Sequence, residues 1–325
     1  MKPYRTVYFD IVGFCNARCP YCLTGGGKEK SGGMILPDVF ENTLTKLLRS
    51  QVIDSKSVVS LYNWGEPFLH PRLHEIISII NKLNIKYAIS TNAAKIPAIN
   101  GEFTRNLDHV IFSMCGFSQA SYRRIHGFDF EKIKNNIIKL VDDCRFNGFR
   151  GDFFISYHVY RFNTDEIKAC ENFASRHGIV FRPYYAILNH WWKLLKFING
   201  ELSPDRIKEI SEDLFGLGEI TETMRKSPAS YQCPQHDYLI ITEDADVLVC
   251  CQLPKHGADF SCGNILSEGI DDVLKRKNKM HVCENCSRSG LAYYINNSLS
   301  EPTFYKRSLY QYFLLLKSKI QRLLR

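Results

Sequence analysis

Three cysteines near the start of the chain are spaced for joint chemistry. Cys15, Cys19 and Cys22 follow one another at C-x3-C-x2-C spacing, directly after an apolar, β-branched run over residues 6–12. A disulfide framework would leave one cysteine over, and a tetrahedral zinc site would need a fourth ligand. A cubane iron–sulfur cluster can be held by three thiolates while its fourth iron stays open for another molecule. The spacing therefore favours such a cluster, with zinc or unrelated thiols as the alternatives.

The stretch CNARCPYC resembles the signature of the radical S-adenosylmethionine (SAM) superfamily, whose members bind SAM at the open iron. Tyr21, the residue before the third cysteine, is aromatic, as that family prefers. The resemblance implies a [4Fe–4S] cluster, SAM and a reducing partner such as flavodoxin or ferredoxin. It also implies a reaction in which the reduced cluster cleaves SAM and the resulting 5′-deoxyadenosyl radical abstracts hydrogen from a substrate carbon.

Composition narrows the class of protein. A chain of 325 residues is long enough for one large domain and a smaller one. An apolar content of 45% and a charged content of 23% are ordinary for a soluble globular protein. The net charge of +8 comes without a basic stripe, so nucleic acid is not an expected partner. With no signal-peptide pattern and no apolar run near the ~20 residues of a membrane span, we expect a cytoplasmic protein whose clustered thiols bind metal.

Strand-like and helix-like segments alternate up to about residue 186. The predicted strands cover residues 6–12, 57–62, 86–90, 109–114, 152–160 and 180–185. The predicted helices cover residues 37–50, 73–83, 96–106, 130–147 and 165–177. This alternation predicts an α/β fold, a partial (β/α)6 TIM-type barrel whose site lies at the carboxyl ends of the parallel strands. The cysteine loop follows the first strand and therefore lies at that end.

Residues that follow the later strands are candidates for binding the cofactor. Residues 63–67, NWGEP, resemble the family's Gly-Gly-Glu motif, whose backbone receives the SAM amino group, with Trp64 in place of the first glycine. Residues 90–93 and 113–116 resemble its STNG and SLDG stretches; for Ser90 and Asn92 an ordinary strand-end turn is the alternative. Two-residue alternation adds residues on the fifth and sixth strands. The predicted cofactor-binding residues are Gly65, Glu66, Pro67, Ser90, Asn92, Ser113, Ser156 and Tyr184.

A second group of cysteines lies between residues 233 and 286. Cysteines paired across a predicted hairpin and a later C-x2-C knuckle suit a four-thiolate site, and the spacing alone leaves zinc and iron–sulfur open. The stretch resembles the shortened auxiliary-cluster ("twitch") version of the SPASM domain, although Ala245 takes a position that is usually glycine. The resemblance implies that a second [4Fe–4S] cluster is held by Cys233, Cys250, Cys283 and Cys286.

We predict four segments along the chain. They are a radical SAM partial barrel (1–188), a connecting helical segment (189–230), a SPASM/twitch-like auxiliary domain (231–290) and a C-terminal amphipathic helix (291–325). The last segment combines an apolar side with six basic residues and no acid after residue 301. Such a helix can contact an anionic membrane surface or a partner. The alternative is a terminal helix that packs on the barrel with a solvated basic face.

Three thiols outside the predicted ligand sets are candidate hydrogen donors, and we predict them as catalytic: Cys115, Cys251 and Cys262. Cys115 can instead pack as a small buried hydrophobe, and Cys251 or Cys262 can replace a cluster ligand. With the second cluster as electron acceptor, the first hypothesis is oxidation (dehydrogenation) of a small polar or sugar-like metabolite. The alternative is epimerisation or crosslinking of a ribosomal peptide or a sugar, and a third is a non-enzymatic iron–sulfur or zinc protein.

Overall fold

A computed structural model of the chain describes residues 2–25, 31–215, 220–228, 230–253, 260–298 and 301–323. The six predicted strands form as β1 (Thr6–Phe9), β2 (Val58–Ser60), β3 (Lys86–Thr91), β4 (Leu107–Met114), β5 (Asp152–Val159) and β6 (Val180–Tyr185). The helices between them are α1 (Pro37–Arg49), α2 (Leu73–Lys82), α3 (Gly101–Thr104), α4 (Gln119–Ile125), α5 (Phe130–Phe146) and α6 (Ile167–Arg176). The predicted α/β partial barrel is confirmed.

Local sequence explains where these helices begin. Pro37 is the first residue of α1. Proline has no backbone N–H, and it fits this position because the first N–H groups of a helix have no partner within the helix. Asp129 precedes α5, and its carboxylate accepts the backbone N–H of Lys132 at 2.8 Å. The helix expected over residues 96–106 is shorter than predicted. The Asn100 side chain accepts the backbone N–H of Phe103 at 2.9 Å, so the cap starts α3 only at Gly101.

Within the described residues, the strands make one nine-stranded sheet in the order β6-β5-β4-β3-β2-β1-β7-β8-β9. The last three strands are β7 (Tyr238–Ile241), β8 (Asp246–Leu248) and β9 (Ser261–Asn264). β7 lies parallel to β1, with Tyr238 opposite Thr6, and β8 and β9 follow antiparallel. The cysteine-rich hairpin therefore extends the barrel sheet and lies beside the strand that precedes the first cysteine loop.

Further helices follow β6 in the described part of the chain. They are α7 (Trp191–Ile198), α8 (Pro204–Asp213), α9 (Ile220–Arg225), α10 (Ile270–Lys277), α11 (His281–Arg288), α12 (Leu291–Ser298) and α13 (Leu309–Leu323). Ala245, in the turn between β7 and β8, has φ of +65°, so alanine adopts here the conformation that favours glycine. The division into four segments stays a prediction, since β7–β9 share a sheet with the barrel.

The two faces of the sheet bury different kinds of side chain. Val7 and Phe9 of β1 face the outer helices, where the Phe9 ring lies 4.9 Å from that of Phe40 in α1. Tyr8 points to the other face, with ring centroids 5.7 Å from Tyr62 and 5.6 Å from Tyr238. Alternation along β1 thus places apolar side chains under the helices and a tyrosine inside the barrel.

Candidate functional site

A cavity of about 340 Å³ lies at the carboxyl ends of the barrel strands. Its size falls within the range of small-molecule sites, roughly 300–1,000 Å³. All three cysteines of the first loop line it, together with residues from the ends of β2, β3, β4 and β6. The predicted cofactor-binding residues that line it are Gly65, Glu66, Ser90, Asn92, Ser113 and Tyr184.

The cysteine loop is held by backbone contacts that turn its thiols toward the cavity. The backbone N–H of Ala17 points at the Cys15 sulfur at 3.4 Å, and the N–H of Cys22 bonds the carbonyl of Cys19 at 3.3 Å. The Asn92 amide donates to the Cys15 sulfur at 3.5 Å. Burial raises the pKa of the Cys15 thiol to about 12, and iron binding must therefore displace its proton.

Asp10, at the end of β1, positions the loop that follows β2. Its buried carboxylate accepts the backbone N–H groups of Asn63 at 3.2 Å, Trp64 at 2.9 Å and Gly65 at 2.9 Å. Three successive amides bound to one carboxylate fix the loop beside the cysteines. The sequence analysis missed this residue, although an acid directly after a buried strand and before the cysteine loop is a signal for it.

Glu66 joins the ends of β2 and β3 through its side chain. One carboxylate oxygen accepts the Thr91 hydroxyl at 2.8 Å, and the other accepts the backbone N–H of Asn92 at 2.8 Å. Burial raises the pKa of this carboxyl to about 7, although the hydrogen bonds favour its charged form. Both oxygens are engaged with the protein, so the Glu66 side chain acts here as a brace for the cavity wall.

The wall formed by β5 and β6 carries neutral polar groups. The Tyr184 hydroxyl hydrogen-bonds the Nε2 of His158 and the Ser156 hydroxyl. Burial lowers the pKa of His158 to about 4 and that of His126 to about 3, which keeps both imidazoles uncharged near pH 7. Ser156 thus lies behind Tyr184 and does not itself line the cavity.

Several polar atoms of the cavity wall have no hydrogen-bond partner among the described residues. They are the side-chain Nδ2 of Asn63, the indole Nε1 of Trp64 and the Nδ1 of His126. Buried polar groups are costly unless a partner satisfies them. Three convergent thiols and these orphaned groups in one cavity fit an iron–sulfur cluster with a polar cofactor beside it.

Two other predicted residues lie outside this wall. Pro67 opens the short 3₁₀ turn Pro67–Leu69 behind the loop, where the Glu66 side chain caps it. Cys115 is fully buried, and its thiol points at the carbonyl of Ser121 at 3.9 Å instead of lining the cavity. The placement of Cys115 matches the alternative of a thiol that packs as a hydrophobe.

The four cysteines predicted to bind a second cluster meet in one place. Cys283 and Cys286 lie one turn apart on α11, and with Cys233 and Cys250 they line a largely apolar cavity of about 40 Å³. Lys277 of α10 is fully buried nearby, and its ammonium donates to the carbonyl of His236 at 3.2 Å. Among the described residues, no three His, Cys, Asp or Glu side chains lie close enough together to hold a single metal ion.

The remaining two candidate donors lie near this second cavity. Cys262 is buried on β9 and does not line either cavity. The Cys251 thiol donates to the side-chain carbonyl of Gln235 at 2.9 Å, and it too is outside the main cavity wall. Gln252, the residue after Cys251, lines both cavities and therefore lies between the two sites. The catalytic assignment of the three thiols stays a prediction that this placement does not favour.

Helix α8 covers the cysteine loop from outside. The Tyr21 hydroxyl donates to the carboxylate of Asp213 at 2.6 Å, and Arg124 pairs with the same carboxylate. The Lys193 ammonium donates to the carbonyl of Pro20 at 3.1 Å. The connecting segment therefore packs on the loop that carries the three cysteines, and Tyr21, the aromatic residue of the motif, is its contact with α8.

This fold and this site define a class of protein. The family model described as "Radical SAM superfamily" matches residues 10–174, which is just over half of the 325-residue chain. The chain belongs to the radical SAM superfamily. That family implies a [4Fe–4S] cluster and SAM. A comparison with curated protein sequences gives no significant match.

Solved structures share the fold at low sequence identity. SuiB from Streptococcus suis bound to S-adenosylmethionine is 15% identical with a TM-score of 0.55, over 84% of this chain and 65% of that chain. The same protein bound to the precursor peptide SuiA has a TM-score of 0.59 at 15% identity, over 95% of this chain and 76% of that one. For anSMEcpe with bound AdoMet the values are 14% identity, a TM-score of 0.55 and 98% of both chains. This chain thus spans about two thirds of the SAM-bound SuiB chain.

Proposed function

We propose that this chain is a radical SAM oxidoreductase that acts on a small, uncharged, hydroxyl-rich substrate such as a sugar. The observation that carries the proposal is the single cavity lined by Cys15, Cys19, Cys22 and the strand-end residues. The three thiols would hold the first [4Fe–4S] cluster, and SAM would lie between them and the ends of β2, β3 and β4. Cluster and SAM together would supply a 5′-deoxyadenosyl radical, which removes a hydrogen atom from a substrate carbon.

The chain's own residues would bind and orient these groups. The loop braced by Asp10 and Glu66 presents backbone at Gly65, where a side chain would collide with the carbonyl of Val12. Ser90, Asn92 and Ser113 supply small polar groups at neighbouring strand ends. Helix α8 and the Tyr21–Asp213 contact would exclude water from the cluster. These residues are proposed as cofactor-binding or positioning groups.

The lining of the cavity supports an uncharged substrate. Among the described residues, neither lysine nor arginine lines it. Its imidazoles are neutral, and its other polar groups are amides, phenols, aliphatic hydroxyls, an indole and the Glu66 carboxyl, whose two oxygens already bond Thr91 and Asn92. A phosphate or an additional carboxylate would leave its charge uncompensated here, whereas hydroxyl groups would pair with these donors and acceptors. Arg182 on β6 stacks over the Phe154 ring at 3.8 Å and does not line the cavity.

The cysteine-lined cavity of the C-terminal hairpin supports a second [4Fe–4S] cluster. Among the described residues no three ligating side chains converge tightly enough for one metal ion, whereas a zinc ion needs four thiols at Zn–S distances of about 2.3 Å, so a larger centre suits these cysteines better. The buried ammonium of Lys277 lies in the field of Cys250, Cys262 and Cys283. A buried cation calls for a compensating anion, and a tetrathiolate centre provides negative charge.

Oxidation follows from the electron balance. Removing a hydrogen atom takes one electron and one proton from the substrate. A second electron must then leave, and the hydroxyl proton must pass to solvent, to complete a two-electron dehydrogenation to the carbonyl. The second cluster is the proposed acceptor, and a flavodoxin or ferredoxin is the proposed donor to the first. Epimerisation needs a hydrogen donor at the substrate, but Cys115, Cys251 and Cys262 lie away from the cavity wall. That arrangement favours oxidation over the alternative.

The proposal is tested with anaerobically reconstituted protein, reduced with dithionite and supplied with SAM. We expect 5′-deoxyadenosine to form above background, to rise with uncharged sugars or polyols and not with their phosphate esters, and to vanish in Cys22→Ala. A ketone or aldehyde should form in step with it. Stimulation by peptides or anionic substrates alone would overturn the substrate class, and no 5′-deoxyadenosine at all would favour a non-enzymatic protein.

Iron and sulfide analysis tests the second cluster separately. A Cys15/Cys19/Cys22→Ala variant should retain about four irons after reconstitution. Zinc in their place, or no metal, would remove the electron acceptor and point to a redox-neutral reaction.

A further inference from the structure

Helix α13 packs on the barrel through its polar side. Gln311 is fully buried, accepting the backbone N–H of Phe181 at 2.8 Å and donating to the carbonyl of Ile179 at 2.9 Å. Ser318 is 1% exposed and donates to the carboxylate of Asp152 at 2.8 Å. Leu314 and the half-buried Leu315 are the apolar members of this contact and pack with Phe154 and Val180. The docked face of α13 therefore combines buried hydrogen bonds with a small apolar contact.

The opposite side of α13 is apolar and exposed to solvent. With 3.6 residues per turn, Leu309, Phe313, Leu316 and Ile320 fall on one line along the helix, opposite Gln311 and Ser318. Leu309 is 88% exposed, Phe313 59% and Leu316 58%. The exposed apolar residues of the helix are Leu309, Tyr310, Tyr312, Phe313, Leu316 and Ile320. A helix that only packs on a core turns its apolar side inward, whereas α13 turns its most apolar side outward. A contiguous exposed apolar face of this kind marks an interaction site.

Charge along the same segment favours one kind of partner. Lys317 and Lys319 are exposed and lie on the two flanks of the apolar line. Residues 302–325 contain no aspartate or glutamate, whereas they contain six lysines and arginines. An apolar face bordered by lysines, with tyrosines beside it, matches the boundary between lipid headgroups and acyl chains. The positive flanks complement an anionic surface.

We propose that the exposed face of α13 docks this protein on an anionic lipid bilayer, with the helix lying in the plane of the surface. The helix is about 22 Å long at 1.5 Å per residue, which is shorter than a hydrocarbon core of about 30 Å. Within the described part of the chain, every helix is too short or too polar to cross a bilayer. Because Gln311 and Ser318 hold the helix to β5 and β6, the barrel would stay close to the surface when α13 is bound.

The test is flotation of the full chain with vesicles of two compositions under anaerobic conditions. We expect binding to phosphatidylcholine vesicles that contain phosphatidylserine, weak binding to phosphatidylcholine alone, and a steep loss in high salt. A Phe313→Ser/Leu316→Ser variant should bind the anionic vesicles at least tenfold more weakly. A Lys317→Gln/Lys319→Gln variant should lose about fivefold per lysine on anionic vesicles and little on neutral ones.

Phe146→Ser is the matched control, because Phe146 is 91% exposed on α5, outside this face. It should bind as the wild type does. All variants alter exposed side chains, so an unchanged thermal unfolding temperature would verify that α13 remains docked. Absence of vesicle binding would overturn the proposal. So would equal loss in Phe146→Ser, or a dimer in solution that dissociates in Phe313→Ser/Leu316→Ser, since the face would then be covered by a second copy of the chain.

Discussion

Replacing Asp10 with asparagine tests whether the site depends on a residue outside the cysteine motif. The Asp10 carboxylate, 1% exposed, accepts three successive backbone N–H groups from the loop that follows β2. Asparagine has nearly the same shape but only one acceptor oxygen. If that oxygen keeps the bonds to Asn63 and Gly65, the new amide nitrogen faces the N–H of Trp64, and two donors oppose each other.

The expected cost follows from this change in bonding. Hydrogen bonds to a charged acceptor contribute about 1.5–3 kcal/mol each, and bonds to a neutral acceptor about 0.5–1.5 kcal/mol. Losing one charged bond and weakening two others therefore lowers the free energy of unfolding by about 3–5 kcal/mol. For 325 residues, an unfolding entropy of roughly 0.7 kcal/mol/K converts this loss to a drop in Tm of about 4–7 °C.

The assay is calorimetry of reconstituted wild type and Asp10→Asn, with SAM binding measured in parallel. The displaced loop should also weaken SAM binding, because Gly65 and Glu66 lie on it. Asp142→Asn, an exposed change on α5, is the matched control and should shift the free energy of unfolding by less than about 0.5 kcal/mol. A Tm within a degree of wild type (about the control's shift) together with unchanged SAM affinity would refute the bracing role of Asp10.

Three further predictions follow from single residues. Gly65→Ala places a methyl group 1.8 Å from the carbonyl oxygen of Val12 and should abolish SAM binding measured by equilibrium dialysis. Gly33→Ala is the control: the atom nearest to its new methyl group is 3.4 Å away, and SAM binding should be unchanged. The pKa of His158 is lowered to about 4, so the neutral imidazole contributes fully to stability above pH 6.5, and this contribution is lost as the pH falls toward 4. Urea unfolding at several pH values should show that acid lowers the free energy of unfolding of His158→Gln by about 3 kcal/mol less than that of the wild type. Parallel curves of stability against pH for the two proteins would contradict this. If the proposed second cluster is present, Lys277→Gln should make its reduction potential more negative in a redox titration, while the exposed change Lys275→Gln should leave it unaltered.

Sequence patterns predicted more of the fold than of the arrangement of the site. Short-range patterns predicted β1 to β6 and most helices, because alternation and caps depend on residues a few positions apart. The same patterns missed the contact of Gln252 with the main cavity, since it depends on β7 joining the free edge of β1. They also placed Cys115 at the pocket from a motif position, whereas β4 ends at Met114 and the bend that follows turns the thiol toward Ser121.

The sequence by itself determined the chemistry that this protein can hold: three thiols in one loop, four more at paired spacing, and a βα alternation that carries the first loop to the carboxyl end of the sheet. Tertiary structure alone decided how those groups meet. Three contacts join residues that are distant in the chain: the bonds of the Asp10 carboxylate to three backbone amides, the packing of α8 on Tyr21, and the docking of α13 that leaves its apolar face outward. Local patterns carry no information on such pairings, because they are selected by the shape and hydrogen bonding of the assembled core.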